Sequence, residues 1–209
     1  YNNFNNGNAG AGWQTTSSAQ FNNPCVGQTG SADGTTHLWM GSASAVPRSL
    51  TSVPLDLSSG GSISFDMVYS IQGANAPCEG PDLPTEGVYL QYSLDGGSTW
   101  ETINYWDPFG GNDPTLTSWN NYTVPIPLAA NQANVLIRWI QTADSNAGYD
   151  HWGLDNIEIQ VTQPGNFSWN VSPSTDSSIT YFPVTSGPVT VTYDNGSVPC
   201  QATVNITVL

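Results

Sequence analysis

Hydrophobic and polar residues alternate most regularly over residues 87–103, GVYLQYSLDGGSTWETI. Apolar side chains occupy every second position from Val88 to Leu94, which is the period of a half-buried β-strand. Asp95-Gly96-Gly97 can supply the positive φ angles of a tight turn. Residues 98–103 are therefore predicted to return as a second strand, with Trp100 as its large apolar anchor. Because a hairpin cannot bury so many large side chains alone, other strands must cover it.

Short segments of the same kind recur up to residue 161, separated by Gly, Pro and Asn. They include residues 62–70 (SISFDMVYS), 134–142 (NVLIRWIQT) and 152–161 (WGLDNIEIQV). No stretch combines helical periodicity with capping residues. The pattern predicts an all-β protein, an antiparallel sandwich of two sheets packed face to face. Residues 1–12 are rich in Asn and Gly, so we expect them to be poorly ordered or to lie at an edge.

The composition changes at residues 162–165 (TQPG), which resemble a linker. The segments that follow are short and rich in Thr and Val, a composition typical of strands. We therefore expect a first domain over residues 1–162 and a small immunoglobulin-like β domain over residues 163–209. A complete immunoglobulin-type sandwich has roughly 100 residues, so the second domain is expected to be incomplete and to lean on the first domain or on a partner.

The net charge of the chain excludes some classes of binding partner. The chain has 2 basic and 16 acidic residues, a formal net charge of −14, and no Lys. Binding to nucleic acid requires clustered Lys and Arg, so this class is excluded. No run approaches the roughly 18 apolar residues of a membrane helix, so membrane insertion is not expected. The many amides and hydroxyls are typical of an extracellular surface. Since the chain opens on YNNFNNGNAG, we expect a segment of a longer protein.

Three cysteines, Cys25, Cys78 and Cys200, match no metal-binding spacing such as CxxC. Cys25 and Cys78 each follow a proline in loop-like surroundings. In an oxidising compartment they are the favoured disulfide pair, which leaves Cys200 over. Three free thiols are the alternative.

Several segments occur in the order and at the spacings of reelin-type repeats: 55–57 (LDL), 62–67 (SISFDM), 87–100 (GVYLQYSLDGGSTW), 135–141 (VLIRWIQ) and 152–159 (WGLDNIEI). The chain resembles this family over about residues 10–161. The resemblance implies a jelly-roll β-sandwich similar to MAM modules. It also implies a structural calcium ion, with Asp155 as a ligand. Residues 163–209 resemble instead the short Thr- and Val-rich modules of bacterial surface and adhesin proteins.

Asp155 lies on a strand that is expected to be buried, where a carboxylate needs a hydrogen-bonding or cationic partner. Calcium prefers six to eight oxygen ligands, which suits an acidic chain with Gly-rich loops. The alternative is that Asp155 pairs with Arg48 or Arg138, or caps a turn. Three further acidic residues are candidate calcium ligands: Asp33, Asp66 and Glu79.

Aromatic residues around the loops could stack on sugar rings, although packing in the core or at an interface explains them equally well. The candidate ligand-binding residues are Tyr105, Trp106 and Trp119.

The sequence gives little support for a catalytic function. Neither GxSxG nor HExxH occurs, and His37 and His151 are the only histidines. Glu101 and Glu158 could pair as in a glycosidase, but solvent-facing strand residues explain them better.

The sequence thus predicts a non-catalytic structural or adhesion module, stabilised by calcium, of a larger surface or filament-forming protein. It is expected to be secreted or on a cell surface. The Asn-rich, Lys-free composition favours a bacterial source. Neighbouring copies or domains of the same protein are the expected partners, because an unpaired last strand recruits another chain. A glycan-binding module of a secreted hydrolase is the alternative. A hydrolase in its own right would need His151 or Glu101.

Overall fold

The computed structural model describes residues 1–16, 19–42, 45–73, 78–108, 113–162, 166–194 and 199–208. The contacts divide the chain into two compact units, Tyr1–Val161 and Thr162–Leu209. We call them unit 1 and unit 2 and describe each by itself.

The regular secondary structure described in unit 1 is almost entirely β-strand. Its strands are β1 Trp13–Thr15, β2 Leu38–Met40, β3 Arg48–Ser52, β4 Gly61–Tyr69, β5 Val88–Ser93, β6 Glu101–Trp106, β7 Asn120–Pro125, β8 Leu136–Gln141 and β9 Trp152–Val161. Two single helical turns accompany them, α1 Val26–Thr29 and a 3-10 turn at Leu128–Ala130. No helix in the described ranges is long or apolar enough to cross a membrane.

The strands form two antiparallel sheets. One has five strands in the order β1-β3-β8-β5-β6, and the other has four in the order β2-β9-β4-β7. Phe65 of the four-stranded sheet packs against Trp139 of the five-stranded sheet, with ring centroids 5.0 Å apart. Both side chains are fully buried, so the hydrophobic core lies between the sheets. The predicted all-β antiparallel sandwich is confirmed.

The hairpin of β5 and β6 follows the predicted pattern on its first strand only. Val88, Leu90 and Tyr92 are buried, as their alternation predicts, whereas Leu94 lies beyond the end of β5 and is exposed, against the prediction. The expectation that Trp100 anchors the returning strand is wrong. Trp100 precedes β6 and is half-buried beneath the guanidinium of Arg138, which lies 3.8 Å from the ring centroid.

The N-terminal residues are better packed than their composition predicts. Phe4 is only 1% exposed and joins the core. The backbone of Asn2 exchanges two hydrogen bonds with Ile157 of β9, at 2.7 and 2.8 Å. The expected edge position is therefore present, but Phe4 corrects the expectation of a poorly ordered segment.

A second, smaller apolar cluster covers part of the outer face of the four-stranded sheet. It contains Trp39 and Val68, with Trp119 packed against them, and it includes a disulfide between Cys25 and Cys78. The disulfide attaches the segment before α1 to the segment after β4.

Unit 2 is one antiparallel sheet in the order β10-β11-β12, formed by Asn166–Trp169, Gly187–Asp194 and Cys200–Ile206. None of its described residues is buried. In the described part of unit 2 no second sheet packs on this one, so unit 2 has no core of the kind found in unit 1.

Candidate functional site

The first group of carboxylates lies on the four-stranded sheet, where β4 and β9 pair. Asp66 lies directly opposite Asp155, beside an irregularity in the pairing of the two strands. Asn156 has a φ of +49°, so the chain bends at this point. The bulge therefore brings an acidic side chain from each of two central strands to the same place.

Asp155 is fully buried but is only half satisfied. Its Oδ1 accepts a hydrogen bond from the Asn156 N–H at 2.8 Å. Within the described residues, nothing donates to its Oδ2. A buried carboxylate oxygen without a partner is costly, on the order of several kcal/mol. Both oxygens of Asp66, by contrast, accept amide hydrogens, from Asn121 and Asn156, at 2.9 Å each.

Burial is the main cause that raises the pKa of Asp155 to about 7, and the negative charges of Asp33 and Asp66 raise it further. Asp33 lies in the turn before β2, where its carboxylate accepts hydrogen bonds from Thr35 that lower its own pKa. The charges of Asp33 and Asp66 thus act on a buried carboxyl group, one oxygen of which lacks a hydrogen-bond partner. This is an environment that a divalent cation would stabilise.

The two arginines are engaged elsewhere. Arg48 is fully buried in β3 and donates to the carboxylate of Asp144 at 2.6 Å. It also donates to the Gln141 side chain at 2.9 Å and to the carbonyl oxygen of Tyr149 at 2.8 Å. Arg138 donates to the Gln91 side chain at 2.9 Å. Both arginines have structural contacts, and neither is among the groups that shift the pKa of Asp155.

The structure contains a second group of carboxylates that the sequence did not predict. Oxygens of Asp82, Glu86 and Asp150 lie within 4.8 Å of one another and could hold a metal ion. Glu79 interacts electrostatically with Asp82 and Glu86, so it lies with this group.

Internal hydrogen bonds satisfy much of this second group. Glu86 accepts from the N–H groups of Asp82 and Leu83, at 3.2 and 3.0 Å, and from the Ser145 hydroxyl at 3.0 Å. Asp150 accepts from the Ser145 N–H, and burial raises its pKa to about 7. These contacts join the loop before β5 to the loop before β9. Only the spatial approach of two loops, which a single sequence does not reveal, creates the group.

Both histidines are buried. The indole N–H of Trp39 donates to Nδ1 of His151 at 2.9 Å, so Nδ1 is unprotonated and Nε2 donates to the Gly148 carbonyl at 3.0 Å. Burial lowers the pKa of His151 to about 4, in keeping with this neutral form. Burial also lowers the pKa of His37. The hydrogen bonds of His151 are structural, whereas neither ring nitrogen of His37 has a hydrogen-bond partner among the described residues.

The aromatic candidates lie in different environments. Trp106 is 7% exposed and packs in the core against Phe65. Trp119 belongs to the outer apolar cluster and packs on His37, with ring centroids 4.9 Å apart. Tyr105 is half-buried beside Tyr89. A cavity of about 320 Å³ has Tyr105, Trp106 and Tyr122 in its wall, together with Asp107, Asp113, Asn120 and Asn121.

The family model of Reelin subrepeat B matches residues 18–160. The chain belongs to the Reelin subrepeat B family. The matched residues lie within unit 1 and include Asp33, Asp66 and Asp155. The resemblance seen in the sequence is therefore confirmed.

Solved structures similar to this Reelin subrepeat B chain include β-sandwich modules of bacterial proteins. The K3 adhesin domain of Lys-gingipain from Porphyromonas gingivalis is 16% identical, with 75% of this chain and 94% of that chain covered and a TM-score of 0.49. The CBM22-1 xylan-binding domain from Paenibacillus barcinonensis is 11% identical, with coverages of 75% and 88% and a TM-score of 0.46. Similarities of this size carry no inference about ligands.

Proposed function

We propose that this Reelin subrepeat B chain is a non-catalytic, extracellular module of a larger bacterial surface or filament-forming protein. Its work is structural spacing and adhesion, and unit 1 is stabilised by calcium. The disulfide between Cys25 and Cys78 supports an oxidising compartment. The structural bonds of His151 to Trp39 and Gly148 support a role without catalysis.

The orphaned Oδ2 of Asp155 is the observation that carries the calcium proposal. Asp155, Asp66 and Asp33 would hold the ion, since hard oxygen ligands suit calcium. A bound cation would supply the partner that Oδ2 lacks and would offset the repulsion that Asp33 and Asp66 exert on Asp155. Glu79 belongs with the second acidic group and is not part of this proposed ligand set.

A melting experiment on the full chain tests this proposal. An ion that binds only the folded state at 100 times its Kd stabilises by about 2.7 kcal/mol. For a chain of this size, that corresponds to a rise in Tm of roughly 5–10 °C between EDTA and calcium. Asp155→Asn should abolish the rise. Glu101→Gln, which removes one exposed carboxylate, is the matched control and should retain it. If the Tm of the wild type is the same in EDTA and in calcium, the proposed calcium site is excluded.

Glycan binding is the second candidate function, favoured by the cavity that Tyr105 and Tyr122 line with carboxylates and amides. This combination suits a sugar, because aromatic rings stack on sugar rings while carboxylate and amide groups form hydrogen bonds with sugar hydroxyls. A glycan array should show binding that is lost in Tyr105→Ala and retained in Tyr181→Ala, which replaces an exposed tyrosine of unit 2. Equal loss in both variants, or no binding by the wild type, would argue against this function.

A further inference from the structure

The sheet of unit 2 has two chemically opposite faces. Directly opposed residues of antiparallel strands point to the same side, so the pairing assigns each position to a face. The odd-numbered residues of β10 and β11 share one face with the even-numbered residues of β12, and all of them are apolar. The other face is polar apart from Pro188. The Phe167 and Tyr193 rings meet at 4.9 Å on the first face, and the Thr190 and Thr203 hydroxyls at 2.9 Å on the second.

The apolar face is exposed along β12, whereas its side chains on β10 and β11 are half-buried and the indole N–H of Trp169 donates to the carbonyl oxygen of Asp176 at 3.0 Å. Val204 is 65% exposed, and Cys200 and Ala202 beside it on β12 are also exposed. A sandwich normally stacks a second sheet about 10 Å away on such a face. Contiguous exposed apolar surface on a soluble protein marks a site of association.

We infer that a second copy of this chain covers this face, so that two unit 2 sheets stack face to face about a two-fold axis. The inference rests on the proposed function, since it identifies the surface through which neighbouring copies of the module assemble. The charge and the shape of the apolar face both favour a copy of the same chain as its occupant.

Charge does not oppose self-association at this face. Unit 2 contains two acidic residues, Asp176 and Asp194, and no basic residue. Its apolar face contains no charge at all, so nothing there selects an oppositely charged partner. Unit 1 contains the other fourteen acidic residues, and contact between two copies through that unit would be strongly repulsive.

Shape makes the face complementary to itself. On β10 the face presents the aromatic side chains Phe167 and Trp169, whereas on β12 it presents the small side chains Cys200 and Ala202. A two-fold axis that runs along β11 places β10 of one copy over β12 of the other. Large side chains then meet small ones on both sides of the axis, which is how well-packed layers interdigitate.

Analytical ultracentrifugation of the full chain, over a range of concentrations in EDTA, measures the association without bridging by divalent cations. We expect concentration-dependent dimers. Val204→Lys should raise the dimer Kd at least tenfold, because it places a charge on the apolar face. Asn205→Lys, a neighbouring substitution on the polar face, should change the Kd less than twofold. Since Val204 is mostly exposed, its replacement should not prevent folding.

Cys200 provides an independent measurement, because it is exposed and lies on the apolar face, while Cys25 and Cys78 are joined. Its rate of reaction with a thiol reagent should fall as the protein concentration rises, in the wild type and in Asn205→Lys but not in Val204→Lys. A monomer at all concentrations, or equal effects of the two substitutions, would overturn the inference. Cys200 reactivity that does not depend on concentration would do the same. None of these three results would affect the calcium and glycan tests, which address unit 1.

Discussion

The buried ion pair of Arg48 and Asp144 allows a prediction of stability from the structure. Arg48→Met keeps the apolar stem and removes the charge and its donors. The Asp144 side chain is 7% exposed, so its carboxylate would be left buried without this cation. The carbonyl oxygen of Tyr149 would lose a bond of 2.8 Å, whereas Gln141 Oε1 would still accept from Trp152 at 3.1 Å.

Breaking a buried pair by removing one partner costs about 3–5 kcal/mol, and we expect about 4 kcal/mol for Arg48→Met. That is a large share of the roughly 5–15 kcal/mol that stabilises a typical domain. Urea unfolding followed by near-UV circular dichroism measures the loss. Arg138→Met is the matched control, because this less buried arginine makes a cation–π contact with Trp100 worth about 1 kcal/mol.

A double-mutant cycle with Asp144→Asn separates the pair from the general effect of each substitution. If the carboxylate left behind causes the loss, the double variant should be more stable than the sum of the single losses predicts, by at least 1 kcal/mol. The reasoning would be refuted if Arg48→Met cost no more than Arg138→Met, or if the two losses at Arg48 and Asp144 simply added.

Three further predictions concern unit 1. The folded-state pKa of Asp155, about 7, exceeds the unfolded value near 3.8, so in EDTA its stabilising contribution is complete below about pH 3.8 and is lost as the pH rises through 7. As the pH falls from 7 to 5, the free energy of unfolding of the wild type should therefore increase by about 2 kcal/mol relative to that of Asp155→Asn, as measured by urea unfolding. A difference between the two proteins that does not change with pH would contradict the raised pKa. Gly153→Ala should cost about 1–3 kcal/mol, because the new Cβ would lie 2.8 Å from the Trp39 ring and 3.0 Å from that of Trp119; an unchanged midpoint would show that the rings can move. Phe4→Ala should cost about 3 kcal/mol, while Tyr1→Ala, at an exposed position, should cost little; equal costs would mean that the N-terminal segment does not contribute to the core.

Local alternation predicted the strands well, because the period of a strand depends on neighbouring residues alone. It failed in β6, where an irregular pairing opposite Leu90 and Gln91 interrupts the alternation. As a result Trp106 points into the core and Trp100 stays outside, against the prediction. A bulge changes which side chains point inward, and nothing in the local pattern reveals it.

The candidate sites depended on contacts between distant residues, so the sequence identified members but not groups. Asp66 and Asp155 were recognisable as carboxylates on strands, but only the register of β4 with β9 places them opposite each other. Asp150 was not recognisable as a partner of Glu86, because the buried Arg48 and Ser145 hold their loops together. A single sequence reveals candidate residues whose position follows from local secondary structure. It does not reveal which of them the tertiary structure brings together.

The contacts of the two arginines limit the ways in which the proposed adhesion can work. The chain has no Lys, Arg48 is buried against Asp144, and Arg138 lies on Trp100. The described surface therefore presents no free Lys or Arg side chain to an acidic partner, and net repulsion acts on any other anionic surface. Attachment of this chain to an anionic surface would then use divalent cations between carboxylates, stacking on aromatic rings, or contact between apolar faces. The structure assigns a candidate to each: the Asp155 group, the cavity beside Tyr105 and the uncovered sheet of unit 2. Since each responds to a different change, namely EDTA, Tyr105→Ala and Val204→Lys, adhesion measured under all three identifies the contact that it uses.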